Sequence, residues 1–180
     1  MEVYVLKKRI LTDNTMYHVT SRTNNKAKIF ERKPGKIIMM MVLKEAKEKF
    51  NFTVANFCIM PTHIHLLITP QKGNDLPKIM HWIKLHFTKR WNFFNRTSGH
   101  IWGTRYFARQ ITGLGDYLTV MDYIDKNPVK KKLVLCAGEW KESGSYHFKH
   151  DISEFVDYTN NNRIFYLEFS RHQLLIEKKR

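Results

Sequence analysis

Cysteine is scarce. The 180 residues hold two, Cys58 and Cys136, too few for a disulfide framework or a cysteine-built zinc site, and this usage fits a reducing cytosol. Long hydrophobic runs are missing as well. The longest, residues 37–43, spans seven residues, where a membrane span needs about 20. The opening M-E-V-Y-V-L-K-K-R-I has no apolar core of the signal-peptide kind. These absences predict a soluble, cytoplasmic protein with no membrane partner. No repeat, low-complexity stretch or Gly/Ser linker divides the chain. No glycine-rich loop ends in Lys-Ser/Thr, so no nucleotide cofactor is expected.

Acidic residues are the other shortage: 16 Asp+Glu face 31 Lys+Arg, a formal charge of +15. An excess of that size predicts a polyanionic partner, nucleic acid before a membrane surface. It is unevenly spread. Residues 1–71 carry net +7, residues 72–132 net +8, and residues 133–180 net zero. Apolar residues make up 43% of the chain and aromatics 13%, enough for a core, and the length suits one domain.

Periodicity gives the order β-α-β-β-α-β-α. Residues 17–22 alternate as a strand. Residues 36–50 read as a helix opened by Pro34-Gly35, with Ile37, Met41 and Ala46 on one stripe. Residues 52–60 and 63–69 read as a hairpin around Pro61-Thr62. Asp75 is placed to cap a helix reaching residue 94 or 95, which Gly99 would break. Residues 101–111 alternate as a strand with Arg105, Phe107, Arg109 and Ile111 on one face. Asp116 is placed to cap a short helix ending near Pro128. Past Trp140 the pattern is weak, with one strand suggested over 163–169. The order predicts an α+β fold, an antiparallel sheet with helices packed on it, ferredoxin-like or RRM-like.

Three groups of residues carry chemistry. In M-P-T-H-I-H-L-L-I, strand alternation puts His63 and His65 on one face; two adjacent imidazoles are either a pair of metal ligands or a polar pair on a half-exposed strand. In Y-I-D-K-N-P, Tyr123 and Asn127 share a helix face. Tyr123 is a potential covalent nucleophile or a packed core aromatic, and Asn127 a potential oxygen ligand or a helix-ending residue before proline. A basic, aromatic band follows. Lys84, Lys89 and Arg90 share a helix with Trp82, Phe87 and Trp91, and Arg105 and Arg109 lie on the next strand. Lys126, Lys130, Lys131 and Lys132 flank the Tyr123 helix. All nine cations are candidates for DNA backbone contact.

M-P-T-H-I-H-L-L resembles the HUH motif (His, bulky hydrophobic, His) of single-tyrosine transposases. D-Y-I-D-K-N-P-V-K-K-K-L-V resembles the tyrosine helix of the REP-associated branch of that family. Y-H-V-T-S-R-T-N-N followed by I-F, and the later E-W-K-E-S-G-S-Y-H-F, are similar to the same branch, and the four matches fall in order over residues 11–148. Thr62 stands where the family often has Asn, and S-G-S-Y where Ser-Ser-Tyr is usual. The resemblance implies a single-tyrosine domain over residues 1–148 and an extension of unassigned role over 149–180. It also implies Mg2+ or Mn2+ held by His63, His65 and Asn127, with Tyr123 as nucleophile. The implied activity is cleavage and rejoining of single-stranded or hairpin DNA through a 5′-phosphotyrosine, and a homodimer stays open. The alternative is a non-catalytic RRM-like nucleic-acid-binding protein.

Overall fold

The computed structural model describes residues 14–158 and 166. Four strands, β1 (Tyr17–Arg22), β2 (Phe52–Met60), β3 (His63–Pro70) and β4 (Phe107–Gln110), form one sheet in the order β2-β3-β1-β4, with every neighbouring pair antiparallel. The long helices are α1 (Lys33–Lys49), α2 (Leu76–Asn95) and α3 (Leu114–Lys130), followed by a short α4 (Gly144–Lys149). This is the β-α-β-β-α-β-α order and the antiparallel α+β architecture expected from the sequence. No helix among the described residues is long and apolar enough to cross a membrane.

Helices pack on both faces of the sheet. Val19, Ile64, Leu66, Ile68, Phe57 and Ile59 pack against Met39, Val42, Leu43 and Ala46 of α1 and Ile79, Met80, Ile83 and Phe87 of α2. The opposite face, through Cys58, Met60 and Leu67, packs against Tyr117, Val120, Met121 and Ile124 of α3. A bulge lies in β2 between Val54 and Asn56. Past residue 150, Phe155 and Val156 join the first core, and Asp157 accepts from Lys47 Nζ at 2.6 Å and from Val54 N–H at 2.7 Å.

Four local expectations change. In α1 the buried stripe is Gly35, Met39, Val42, Leu43 and Ala46, while Ile37 and Met41 are 48% and 51% exposed. Gly35 sets that rotation, because a Cβ there would stand 2.3 Å from the Ile29 carbonyl oxygen. α2 ends at Asn95 as expected, but the stop is Arg96 rather than Gly99: Arg96 takes the left-handed conformation at φ 53° and donates its N–H back to Asn92 and Phe93. β4 is shorter than residues 101–111. Trp102 pairs with Thr23 alone and donates its indole N–H to the Lys84 carbonyl, and the intervening residues loop out before pairing resumes at Phe107. α3 starts at a Gly113 N-cap with φ 133°, because Asp116 is taken by Arg109 at 2.8 and 2.9 Å and by Thr112 N–H at 3.0 Å. α3 also runs past Pro128 to Lys130. The strand suggested over 163–169 lies outside the described residues, apart from a buried Tyr166.

Candidate active site

The register builds the site. Thr20 lies directly opposite His65 and Arg22 opposite His63, while Phe107 and Arg109 face Thr20 and His18 from β4. Directly opposed residues share a face, so His18, Thr20, Arg22, His63, His65, Phe107 and Arg109 line one side of the sheet. α3 crosses the neighbouring half of that side and brings Tyr123 over it. His18, Thr20, Arg22, His65, Phe107, Arg109, Thr119, Val120 and Tyr123 together line one open cavity.

His65 is the most enclosed member, at 2% exposure. Its Nδ1 lies 3.0 Å from His18 Nε2 and 3.1 Å from Thr20 Oγ1, while its Nε2 is buried with no hydrogen-bond partner among the described residues. With Nδ1–H donating to Thr20, Nε2 presents a bare lone pair, the form of a metal ligand braced from behind. The His63 ring stands edge-on to His65 at 4.8 Å, and its Nδ1 lies 3.0 Å from Thr62 Oγ1.

Burial pushes all three imidazoles toward the neutral form. His63 falls to about 4, with the Arg22 and Lys131 charges adding to desolvation. His18 falls to about 4 by desolvation and the Arg109 charge. His65 is held well below its ordinary value by burial and then by His63, His18 and Arg22. Neutral imidazoles are what a metal ion requires. Among the described residues no cluster of three His, Cys, Asp or Glu side chains suited to a metal ion forms.

Tyr123 is 42% exposed, and its ring stands edge-on to His65 at 5.6 Å and to His18 at 5.8 Å. Lys130 Nζ lies 5.4 Å from the same ring. Asn127 is buried, and its Nδ2 donates to the Tyr123 carbonyl at 2.7 Å, which commits the nitrogen and leaves Oδ1 as the acceptor end. One chain therefore brings together the His pair and Tyr123.

The predicted cations divide. Arg109 borders the cavity but is held by Asp116. Lys130 and Lys131 approach Tyr123 and His63, Lys132 is exposed beyond them, and Lys126 pairs with Asp122 at 2.7 Å. Lys84, Lys89 and Arg90 ride on α2, which packs on the other face of the sheet. Arg90 pairs there with Glu45 at 2.7 Å. Lys84 and Arg105 line a separate groove with His81, His100 and Tyr106. Sequence reasoning missed His18, Thr20, Arg22 and Phe107 as site residues. Alternation in Y-H-V-T-S-R does put His18, Thr20 and Arg22 on one face, but only the strand order sets that face beside His63 and His65.

A family model described as IS200-like transposase matches residues 11–127, more than half of the chain. The chain belongs to the IS200-like transposase family. Within it, a putative REP-associated tyrosine transposase of Haemophilus influenzae is 33% identical over 115 residues, 58% of this chain and 64% of that relative. A REP-associated tyrosine transposase of Escherichia coli is 27% identical over 95 residues, 49% of this chain and 52% of the relative. The match thus spans less than two thirds of either relative's length. A REP-associated tyrosine transposase solved bound to a REP hairpin shares the fold, with a TM-score of 0.69 and 22% identity over 87% of this chain and 89% of that one. The antiparallel sheet and its packed helices are therefore the fold of that structure.

Proposed function

We propose that this member of the IS200-like family cleaves and rejoins single-stranded or hairpin DNA by transesterification through Tyr123. One observation carries the reading: within a single chain, the half-exposed Tyr123 ring sits edge-on to His65, whose buried Nε2 has no partner among the described residues. His63, His65 and Asn127 would hold a divalent ion, Mg2+ or Mn2+. When bound, such an ion supplies Lewis-acid polarisation of a phosphate's non-bridging oxygens. Thr20 and His18 brace His65 through Nδ1, which leaves Nε2, without a partner among the described residues, as the nitrogen for the ion.

The Tyr123 oxygen attacks phosphorus in line and loses its proton. The P–Oη bond forms as the P–O3′ bond breaks, and the departing 3′ oxygen takes up a proton. The product is a 5′-phosphotyrosine and a free 3′-OH. Because the phosphodiester linkage is exchanged rather than hydrolysed, a 3′-OH can reverse the step and join strands. Arg22 makes no ion pair among the described residues, unlike Arg109, and stands opposite His63; it is suited to hold a phosphate. Phe107, 57% exposed at the cavity wall, offers a face for an unpaired base. Lys130, Lys131 and Lys132 supply further backbone contact from the end of α3.

A non-catalytic RRM-like binder would use the open sheet face to stack bases. Here α3 covers the β2 and β3 half of that face, which disfavours that reading. The deciding experiment incubates the protein with a 3′-end-labelled hairpin DNA and Mg2+ or Mn2+, followed by a denaturing gel. An SDS-stable adduct that needs metal and vanishes in Tyr123→Phe is expected. Cleavage without adduct that persists in Tyr123→Phe would mean water is the nucleophile.

A further inference from the structure

One buried polar pair has no part in that chemistry. Asn56 on β2 and Asp125 on α3 are both buried, and Asn56 Nδ2 donates to Asp125 Oδ1 at 3.0 Å. The β2 bulge sets Asn56 opposite Leu67, on the side of the sheet that carries His65. Asn56 Oδ1 accepts from Phe57 N–H at 2.7 Å, so the amide has one orientation and its nitrogen is aimed at the helix. The start of α4 closes over it: a Cβ on Gly144 would stand 2.2 Å from Asn56 Oδ1.

The pair is costly for stability. Asp125 Oδ2 and the Tyr117 hydroxyl beside this layer are buried with no hydrogen-bond partner among the described residues, and unsatisfied buried polar groups oppose folding. What such a pair gives in return is direction. The apolar cluster that α3 shares with β2 contains Tyr117, Val120, Met121 and Ile124 of the helix, and apolar contact of this kind is non-directional. A helix held by it alone can rotate or slide. A buried hydrogen bond resists that, because any slip strands both partners in apolar surroundings. Asp125 lies midway between Tyr123 and Asn127, so whatever registers Asp125 registers both.

We infer that the Asn56–Asp125 hydrogen bond is a positioning pair that sets the rotation and axial register of α3, and so where Tyr123 and Asn127 stand against His63 and His65. The inference rests on the transesterification reading of Tyr123. It names no new contact to DNA: Asn56 and Asp125 act through the helix.

Two readouts test it. The first is the single-turnover rate of covalent adduct formation at saturating hairpin DNA. Asp125→Leu should lower that rate about 10²-fold, the size expected from a misplacement of about 1 Å, with DNA affinity measured in EDTA unchanged. The reversed pair Asn56→Asp/Asp125→Asn should restore it, since the carboxylate then on β2 can still accept from Phe57 N–H while accepting from the carboxamide then on α3. Ile124→Val, which weakens the same helix face without touching the pair, should keep the wild-type rate. The second readout needs neither metal nor DNA. The ring carbon–hydrogen signals of carbon-13-labelled His18 and His65 sense the edge-on Tyr123 ring; they should shift in Asp125→Leu and return in the reversed pair. Asp125→Ala serves in both assays if the leucine variant does not fold. Signals that stay in place in the broken pair, or a rate loss matched by Ile124→Val, would overturn the inference. Absence of adduct in the wild type, with the signals shifting as stated, would contradict the Tyr123 chemistry alone.

Discussion

At the scale of single residues the site is a set of braced imidazoles. Thr20 is the bracing group that is simplest to remove. Thr20→Val keeps the shape of β1 and deletes the hydroxyl 3.1 Å from His65 Nδ1. Loss of such a supporting partner usually costs about 10–100-fold in metal affinity, and calorimetric titration with Mn2+ should show a loss in that range. An unchanged affinity would mean that His18 alone orients the ring. Arg22→Gln tests the phosphate contact: log Kd against log salt for a single strand should flatten by about 0.7, the contribution of one phosphate. The imidazoles also set a pH dependence. The folded value of His63 is about 4 and its unfolded value is 6.5. A depressed value means the stabilisation is fully present above 6.5 and is lost as pH falls through the folded value. In metal-free protein, the drop in Tm between pH 7 and pH 5 should therefore be smaller in His63→Gln than in the wild type, and an equal or larger drop would contradict the buried, neutral assignment.

At the scale of elements, α1 gives the cleanest stability test. Gly35→Ala places a methyl 2.3 Å from the Ile29 carbonyl oxygen. The overlap is with backbone, so the usual helix gain of about 1 kcal/mol is outweighed, and urea unfolding should show a net loss of about 1–3 kcal/mol. Ile37→Ser, on the exposed side of the same helix, should stay within about 0.5 kcal/mol. These two positions also show how far the sequence could be read. The helix itself was legible from its period, but residues 33–49 contain so many apolar positions that two stripes compete, and contact with Ile29 decides between them. The β2–β3 hairpin was legible because both strands are apolar runs meeting at Pro61-Thr62. β4 was legible as a strand within residues 101–111 but not in its start, because Trp102 leaves the strand to bury its indole, a tertiary preference that alternation does not encode. The His pair and the Tyr123–Asn127 face were legible as local spacings. His18, Thr20 and Arg22 were hidden because their membership depends on the antiparallel register between β1 and β3. The Asn56–Asp125 pair was hidden for the same reason, since it joins residues 69 positions apart.

For the whole molecule, the charge of +15 and the fold agree on where a polyanion belongs. Arg22 lines the site and Lys130 and Lys131 approach it from the end of α3, while the cations of α2 lie on the other side of the sheet and partly spend their charge on partners such as Glu45. Substituting Lys130, Lys131 and Lys132 with Gln should weaken single-strand binding far more than substituting Lys84, Lys89 and Arg90; filter binding at a fixed salt concentration would show equal losses if both faces carried DNA. The neutral last quarter is not merely appended. Phe155 and Val156 are buried in the core shared by α1 and α2, so cutting the chain near Lys149 should lower Tm by several degrees. The central claim is that Tyr123 exchanges a DNA phosphodiester for a bond to its own oxygen. The most direct measurement is mass spectrometry of the protease-digested covalent complex formed with hairpin DNA and Mn2+. A deoxynucleotide 5′-phosphate on the peptide that contains Tyr123, absent when metal is withheld, is the predicted result. A modification on another residue, or cleaved DNA with every tyrosine peptide unmodified, would contradict it.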